Sequence, residues 1–228
     1  MKAFFFDMDG VLFDSMPLHA KAWEEVMSRH GLPFSAYDTY VNEGRTGESV
    51  IDEAFMTARH RHATPQEIQT IYNEKTLLFH QEGDAKPIKG VDKVLQYVQA
   101  QGYQIWIVTG SAQESLFDKL DTCFPHIFSR ERMITASDVK HGKPDPEPYL
   151  KAWEGSGLPK KDCTVIENAP MGVQSGKAAG LTVYAVNTGI LTPQDLQQAG
   201  ADKVVNDMQQ LLVLIKNEEL GLIDISCT

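Results

Sequence analysis

The stretch Ala3-Phe4-Phe5-Phe6-Asp7-Met8-Asp9-Gly10-Val11-Leu12-Phe13 decides how the rest of the chain is read. It is apolar and aromatic, begins at the third residue and is halted by Gly10, the pattern of a strand buried on both faces. Two carboxylates stand at its end. Side chains two apart on an extended strand lean to one face, so Asp7 and Asp9 are expected to point together if the strand is still extended there. Like charges held that close raise each other's energy, and a fold keeps them where a cation or a reaction compensates. An isolated Asp-x-Asp is more often a strand end with two solvated acids, so the remaining sequence has to decide.

With 228 residues, 42% of them hydrophobic and 23% charged, the composition is that of a soluble globular protein with a real core. The formal net charge of −10 leaves no basic stripe with which to displace phosphate counterions, which argues against nucleic-acid and acidic-membrane partners. Any phosphate handled is therefore small. Cys123, Cys163 and Cys227 are odd in number and widely spaced, as expected for reduced thiols in a cytoplasmic protein. No signal peptide fits ahead of the first strand and no apolar stretch reaches membrane-spanning length, so a cytoplasmic monomer without a membrane partner is expected.

From Ser15 onward the hydrophobic period becomes helical. Leu18, Ala22, Trp23, Val26 and Met27 share a face up to Gly31, and Val50, Ile51, Ala54 and Phe55 share another after Thr46. A third helix starts at Thr64-Pro65-Gln66-Glu67, where a capping threonine, a first-turn proline and an acid three residues on coincide. After Lys86-Pro87-Ile88-Lys89-Gly90 helix and strand alternate. A helix on Val91, Val94, Leu95 and Val98 precedes the strand Ile105 to Val108, and a helix from Gln113 to about Asp121 precedes a short strand near Met133 to Thr135. Another helix opens after Pro144, and Thr164 to Ile166, Thr182 to Val186 and Lys203 to Val205 are strands. That order predicts an α/β fold, a doubly wound parallel sheet with helices on both faces. Residues 1–14 and 86–228 form this core, and residues 15–85 are an inserted all-helical cap. Gly172, Gly176 and Gly180, four apart, are expected to let a helix pack closely on the sheet.

Ligands of an open parallel sheet bind at the carboxyl ends of its strands. Here three strands run into polar groups: Asp7 with Asp9, Thr109-Gly110-Ser111, and Glu167 with Asn168. Lys143 stands in Gly142-Lys143-Pro144-Asp145-Pro146, a turn ahead of a helix. Singly each has a plain structural account: a strand-to-helix turn, a solvated lysine, an acidic loop. Their joint arrival at one sheet edge suits phosphoryl transfer through a carboxylate. One aspartate attacks phosphorus, a second carboxylate moves the protons, a dication with oxygen ligands screens the charge, and lysine and hydroxyl donors hold the phosphate oxygens.

These four segments, in this order, resemble the four motifs of the haloacid-dehalogenase-like hydrolase superfamily, and the cap between the first and second resembles its β-phosphoglucomutase and phosphatase branch. The resemblance implies Asp7 as nucleophile and Asp9 as acid/base. It implies Thr109 and Lys143 as phosphate ligands, and Mg²⁺ on Asp7, the Asp9 carbonyl and a side chain of the fourth motif, Glu167 or Asn168. Gly110, Ser111 and Gln113 would line the substrate side. Dehalogenases proper lack the second aspartate, so Asp9 argues against carbon–halogen cleavage. His19 resembles a histidine that the branch keeps near its hinge, here counted with the substrate contacts.

Two departures bear on substrate. The fourth motif of the branch usually ends Glu-Asp, and here it ends Glu167-Asn168, one negative charge less; Glu43 in the cap loop Glu43-Gly44-Arg45-Thr46-Gly47 is the candidate to restore it. The lysine and arginine with which mutases grip a second phosphate are replaced by Thr46 and Val50, with Arg45 left as a partial substitute. Together with Ile166-Glu167-Asn168-Ala169-Pro170, the cap loop is similar to the inorganic pyrophosphatases of the branch, so pyrophosphate is the first substrate expectation. A β-phosphoglucomutase or sugar-phosphate phosphatase is the alternative. A non-catalytic phosphate-binding or phospho-acceptor protein is a further one, although a receiver-type acceptor is about half this length and has no cap. Closure about Asp14 to Met16 and Glu82 to Pro87 would carry Glu43 and Arg45 to the substrate.

Overall fold

The computed structural model describes residues 1–111 and 116–221. Strand β1 (Ala3–Phe6) stands second to none in burial and lies inside a six-stranded sheet with β2 (Gln104–Val108), β3 (Met133–Ile134), β4 (Cys163–Glu167), β5 (Thr182–Val186) and β6 (Lys203–Val205). The order is β3-β2-β1-β4-β5-β6 and every pairing is parallel. Alternation along the strands feeds two cores. Phe4, Phe6, Ile105, Ile107 and Ile166 face helices α5 (Val91–Ala100) and α10 (Met208–Glu219); Ala3, Phe5, Trp106, Val108 and Val165 face α7 (Glu147–Ser156), α8 (Pro170–Ala178) and α9 (Pro193–Gln198). A phenylalanine removed this fully from water stabilises the fold by about 1.5–3 kcal/mol, so three in a row make β1 the sheet's anchor. Helix α6 (Leu116–Cys123) connects β2 to β3, and Gln113 falls outside the described residues.

Between β1 and α5 lie α1 (Met16–Arg29), α2 (Ala36–Val41), α3 (Gly47–Arg59) and α4 (Pro65–Gln81), whose shared core holds Trp23, Val26, Met27, Leu32, Ile51, Phe55 and Ile71. The two connections to this helical unit run side by side: Asp14 N–H donates to Lys86 O at 2.8 Å and Ile88 N–H to Leu12 O at 2.9 Å. Periodicity does not reveal α2, a six-residue helix opened by a Ser35–Asp38 capping box. Nor does β1 stay extended through Asp9. It stops at Phe6, the Met8 carbonyl accepts from Val11, Leu12 and Phe13, and Gly10 turns the chain at φ +81°. The two aspartates therefore belong to a tight loop and not to alternate positions of one strand.

Candidate active site

Four segments meet at the carboxyl edge of the sheet. Asp7 N–H donates to Ile166 O at 3.0 Å, which carries the β1–β4 pairing one residue past the strand and fixes the Asp7 backbone. Thr109 N–H does the same toward β3, meeting Ile134 O at 2.9 Å. Glu167 is the last residue of β4, and Lys143 enters from the turn before α7 with 3% of its surface exposed.

Lys143 is the hub of the site. Its Nζ donates to Asp7 Oδ1 at 2.5 Å, Glu167 Oε1 at 2.6 Å and the Val108 carbonyl at 3.1 Å, which uses all three ammonium protons. The Tyr149 hydroxyl donates to the same Glu167 Oε1 at 2.7 Å, and Asn168 N–H to Glu167 Oε2 at 3.1 Å. Glu167 thus orients the lysine, with both of its oxygens engaged. Gly172 explains where that carboxylate finds room: a Cβ there would lie 1.8 Å from Glu167 Oε1. Of the three spaced glycines only Gly176 serves helix–sheet packing, its added Cβ falling 2.8 Å from Val183; Gly180 lies beyond the end of α8.

The cap loop brings Glu43 into the same spot, where Asn168 Nδ2 donates to Glu43 Oε2 at 2.6 Å. Burial, with Asp7, Glu167 and Asp9 nearby, pushes the Glu43 carboxyl well above its usual range. Burial also raises Asp7, with Glu167 and Asp9 adding to it and Lys143 opposing. Burial alone would depress the Lys143 ammonium, yet Asp7 and Glu167 reverse this and hold it charged. A 2.5 Å ion pair calls for an ionised Asp7 while its neighbours disfavour one. Both facts express one shortage, since several carboxylates share a single ammonium away from water.

The shortage has a place. Asp7 Oδ2, Glu43 Oε1 and Asn168 Oδ1 are buried acceptors with no donor. Each such orphan costs about 1–3 kcal/mol when nothing fills its lone pairs. Oxygen donors with excess negative charge fit a hard dication of the Mg²⁺ kind. No three His, Cys, Asp or Glu side chains group as a metal site among the described residues; the bare acceptors here are two carboxylate oxygens and one amide oxygen.

Asp9 is wired separately. Its Oδ1 accepts from Ser15 Oγ at 2.5 Å and faces His19 Nε2 at 3.4 Å. Lys75 Nζ donates to His19 Nδ1 at 2.8 Å, so Nδ1 is unprotonated and the ring presents Nε2–H to Asp9. Burial and the Lys75 charge depress His19, in keeping with a neutral ring, and burial brings Lys75 down to about 8. Burial opposes ionisation of Asp9, but the bonds from His19 and Ser15 prevail and hold its carboxyl at about 2. His19, stacked on Phe79 at 4.2 Å between centroids, is thus first a partner of Asp9, although it also lines the cavity.

That cavity, about 150 Å³, lies between cap and sheet edge, bordered by Asp7, Asp9, Glu43, Lys75, Gly110 and Ser111. Thr109 Oγ1 accepts from Ser111 N–H at 3.1 Å, and among the described residues its own hydrogen has no acceptor. Arg45 reaches the wall, but its guanidinium is engaged within the cap by Asn42 Oδ1 at 2.9 Å, Ser49 Oγ at 3.2 Å and the Glu53 carboxylate.

Residues 1–180 match the family model described as haloacid dehalogenase-like hydrolase. The chain belongs to that family. Hexitol phosphatase A of Escherichia coli (strain K12) is 34% identical to this haloacid dehalogenase-like hydrolase over 217 residues, 93% of this chain and 94% of that protein. Glycerol-1-phosphate phosphohydrolase 2 of Saccharomyces cerevisiae is 30% identical over 228 residues, 93% of this chain and 85% of that one. The solved structure named "Putative beta-phosphoglucomutase from Bacteroides vulgatus" superposes with a TM-score of 0.93 at 42% identity, covering 98% of this chain and 91% of that chain. The hydrolase is thus a phosphatase-type enzyme with mutase-like and sugar-phosphatase relatives. The relatives support phosphate esters of sugars and polyols better than the pyrophosphate expected from the cap loop.

Several site residues of the hydrolase escaped sequence reading. Lys75 falls one turn after Ile71 on the apolar stripe of α4, and a lysine in a buried stripe is the signal that could have found it. Ser15 bonds Asp9 from six residues on, and Tyr149 reaches Glu167 from the first turn of α7; neither carries a local pattern.

Proposed function

We propose that this enzyme hydrolyses the phosphomonoester of a small sugar or polyol through an aspartyl phosphate on Asp7. The carrying observation is the asymmetric environment of that carboxylate, with one oxygen clamped by Lys143 and the other buried and bare. In the first half-reaction an Asp7 oxygen bonds to phosphorus as the bond to the leaving oxygen breaks, splitting one difficult displacement into two. Lys143 and the Thr109 hydroxyl are placed to balance charge on the phosphoryl oxygens. Asp9 gives its proton to the leaving oxygen in the first half-reaction and, as a carboxylate, takes one back from the water that opens the acyl phosphate, so it ends each turnover as it began. The bonds from His19 and Ser15 favour its carboxylate form in the resting site.

Asp7 Oδ2, Asn168 Oδ1, the Asp9 carbonyl and Glu43 from the cap are the groups that would hold Mg²⁺. When bound, the ion screens the repulsion between carboxylate and phosphate. Residues 15–85 act in this reading as a lid, the paired linkers at Asp14 and Lys86 as its hinge, and the leaving group occupies the cavity beneath.

One observation favours pyrophosphate as a second reading. Glu43 bonded to Asn168 draws the cap onto the nucleophile side, which suits a small and highly charged substrate. A phosphate-release screen with Mg²⁺ separates the two: polyol and sugar monophosphates are expected to turn over faster, and a large excess for pyrophosphate would replace the first reading by the second. Asp7→Asn is expected to abolish release from any of them, and retained turnover in that variant would overturn both.

A further inference from the structure

The turn after β5 touches two parts of the site, the nucleophile loop and the cap, and the chemistry described above leaves it unused. Thr188 Oγ1 donates to the Gly10 carbonyl at 2.5 Å, a contact 178 residues apart in sequence. Gly10 is the bend of the loop that carries Asp7 and Asp9, and its other side is packed by Asn168, whose Nδ2 would lie 2.1 Å from a Cβ there. Next along the turn, Gly189 faces cap helix α2, and a Cβ on Gly189 would fall 2.4 Å from Tyr40 Cε1 and 2.7 Å from Tyr40 Cδ1. Its φ lies outside the left-handed region, so the bare Cα answers to Tyr40 and not to backbone strain. Tyr40 is buried in the sheet's cluster, with Leu191 of the core and Met16 and Ala20 at the start of α1, not with the cap's own cluster, and Tyr37 one turn earlier reaches Asp195 of α9 at 3.4 Å. Helix α2 is thus a cap element seated on the core, directly ahead of the loop that carries Glu43.

We propose that Thr188 and Gly189 are positioning residues for phosphoryl transfer: Thr188 pins the bend of the nucleophile loop, and Gly189 is the seat on which Tyr40 docks the cap. One short turn then sets both the loop's geometry and the cap's closed position, so Glu43 arrives over Asp7 only when Tyr40 is down. This rests on the Asp7 reading, since the loop so positioned is the one that carries the nucleophile. Misplacement of reacting groups by about 1 Å is enough to cost roughly a hundredfold in rate.

The test uses the full chain with Mg²⁺ and p-nitrophenyl phosphate. Gly189→Ala is expected to lower kcat/KM by roughly ten- to a hundredfold, and the double variant Gly189→Ala with Tyr40→Ala to recover most of that loss relative to Tyr40→Ala alone, a coupling that a merely structural defect would not produce. Thr188→Val is expected to lower kcat more than it raises KM, with Thr188→Ser close to the parent. Wild-type kinetics in Gly189→Ala, strict additivity in the double variant, or Thr188→Ser failing as badly as Thr188→Val would each overturn the proposal. Small-angle scattering supplies an arm free of catalysis: the radius of gyration is expected to rise in Gly189→Ala and to fall back in the double variant, and an unchanged radius counts against the seat. Release that does not depend on Asp7 sinks the nucleophile reading and leaves the scattering arm to judge the seat.

Discussion

The core and cap halves of the site are built on opposite plans. On the core side every donor of Lys143 is spent, on Asp7, Glu167 and the Val108 carbonyl, and these three partners lie at strand ends locked by sheet pairing. The cap side supplies two charged residues from one loop, and they part company. Glu43 crosses to Asn168, whereas Arg45 is held within the cap by Asn42, Ser49 and Glu53. In the proposed reading the paired strands carry the reaction, and a loop on the helical unit adjusts what enters.

The largest expected effect comes from the rigid half. Lys143→Met removes the one ammonium among the buried carboxylates, and breaking such a pair costs about 3–5 kcal/mol of stability, with turnover down by roughly a thousandfold. Denaturant unfolding and steady-state kinetics measure the two; a stable, active variant would erase the distinction between the halves. Glu43→Gln comes next. It keeps the contact to Asn168 but removes a buried negative charge, so the Mg²⁺ concentration for half-maximal activity is expected to rise roughly tenfold, while the metal-free protein melts no lower than the parent. A magnesium titration with and without the substitution decides this.

Arg45→Ala is expected to change kcat/KM by less than about threefold for a monophosphate, the size of effect left when a surface ion pair of the cap is lost. A much larger loss would mean that Arg45 leaves Glu53 for the substrate and would tie the cap more tightly to the chemistry. The smallest effect should be shared by the two halves. Glu67 in the cap, held by Arg61 and Thr64, and Glu147 in the core, held by the Lys140 and His141 amides, both have carboxyls lowered to about 2. Folded values below the unfolded ones mean stability that is present above about pH 4.5 and fades as pH falls toward 2. Melting curves between pH 5 and 2 should flatten slightly in Glu67→Gln and in Glu147→Gln, and equally so if cap and core respond alike.

Particular residues show what was legible and why. Asp7, Thr109 and Glu167 could be found because each ends an apolar strand, and a strand's periodicity is a local property of the chain. Lys143 could be found because glycine and prolines fix its turn. Helix α2 was missed because six residues give too few periods to see, though its capping box is written plainly at Ser35 and Asp38. Gly10 was read as the stop of the strand, but its earlier end at Phe6 and the fold-back on Met8 were missed, because continuing hydrophobicity through Val11 to Phe13 looks the same whether a chain runs straight or turns.

The amino-acid order alone settled the α/β class, the helical insertion and the chemical type of the site, because these depend on periodicity and on which residues follow each strand. Partnership was decided only by tertiary structure. Glu167 bonds Lys143, His19 turns to Asp9, and Arg45 stays with Glu53. Each of these choices turns on a few ångströms between atoms far apart along the chain, a separation that no pattern of neighbours encodes.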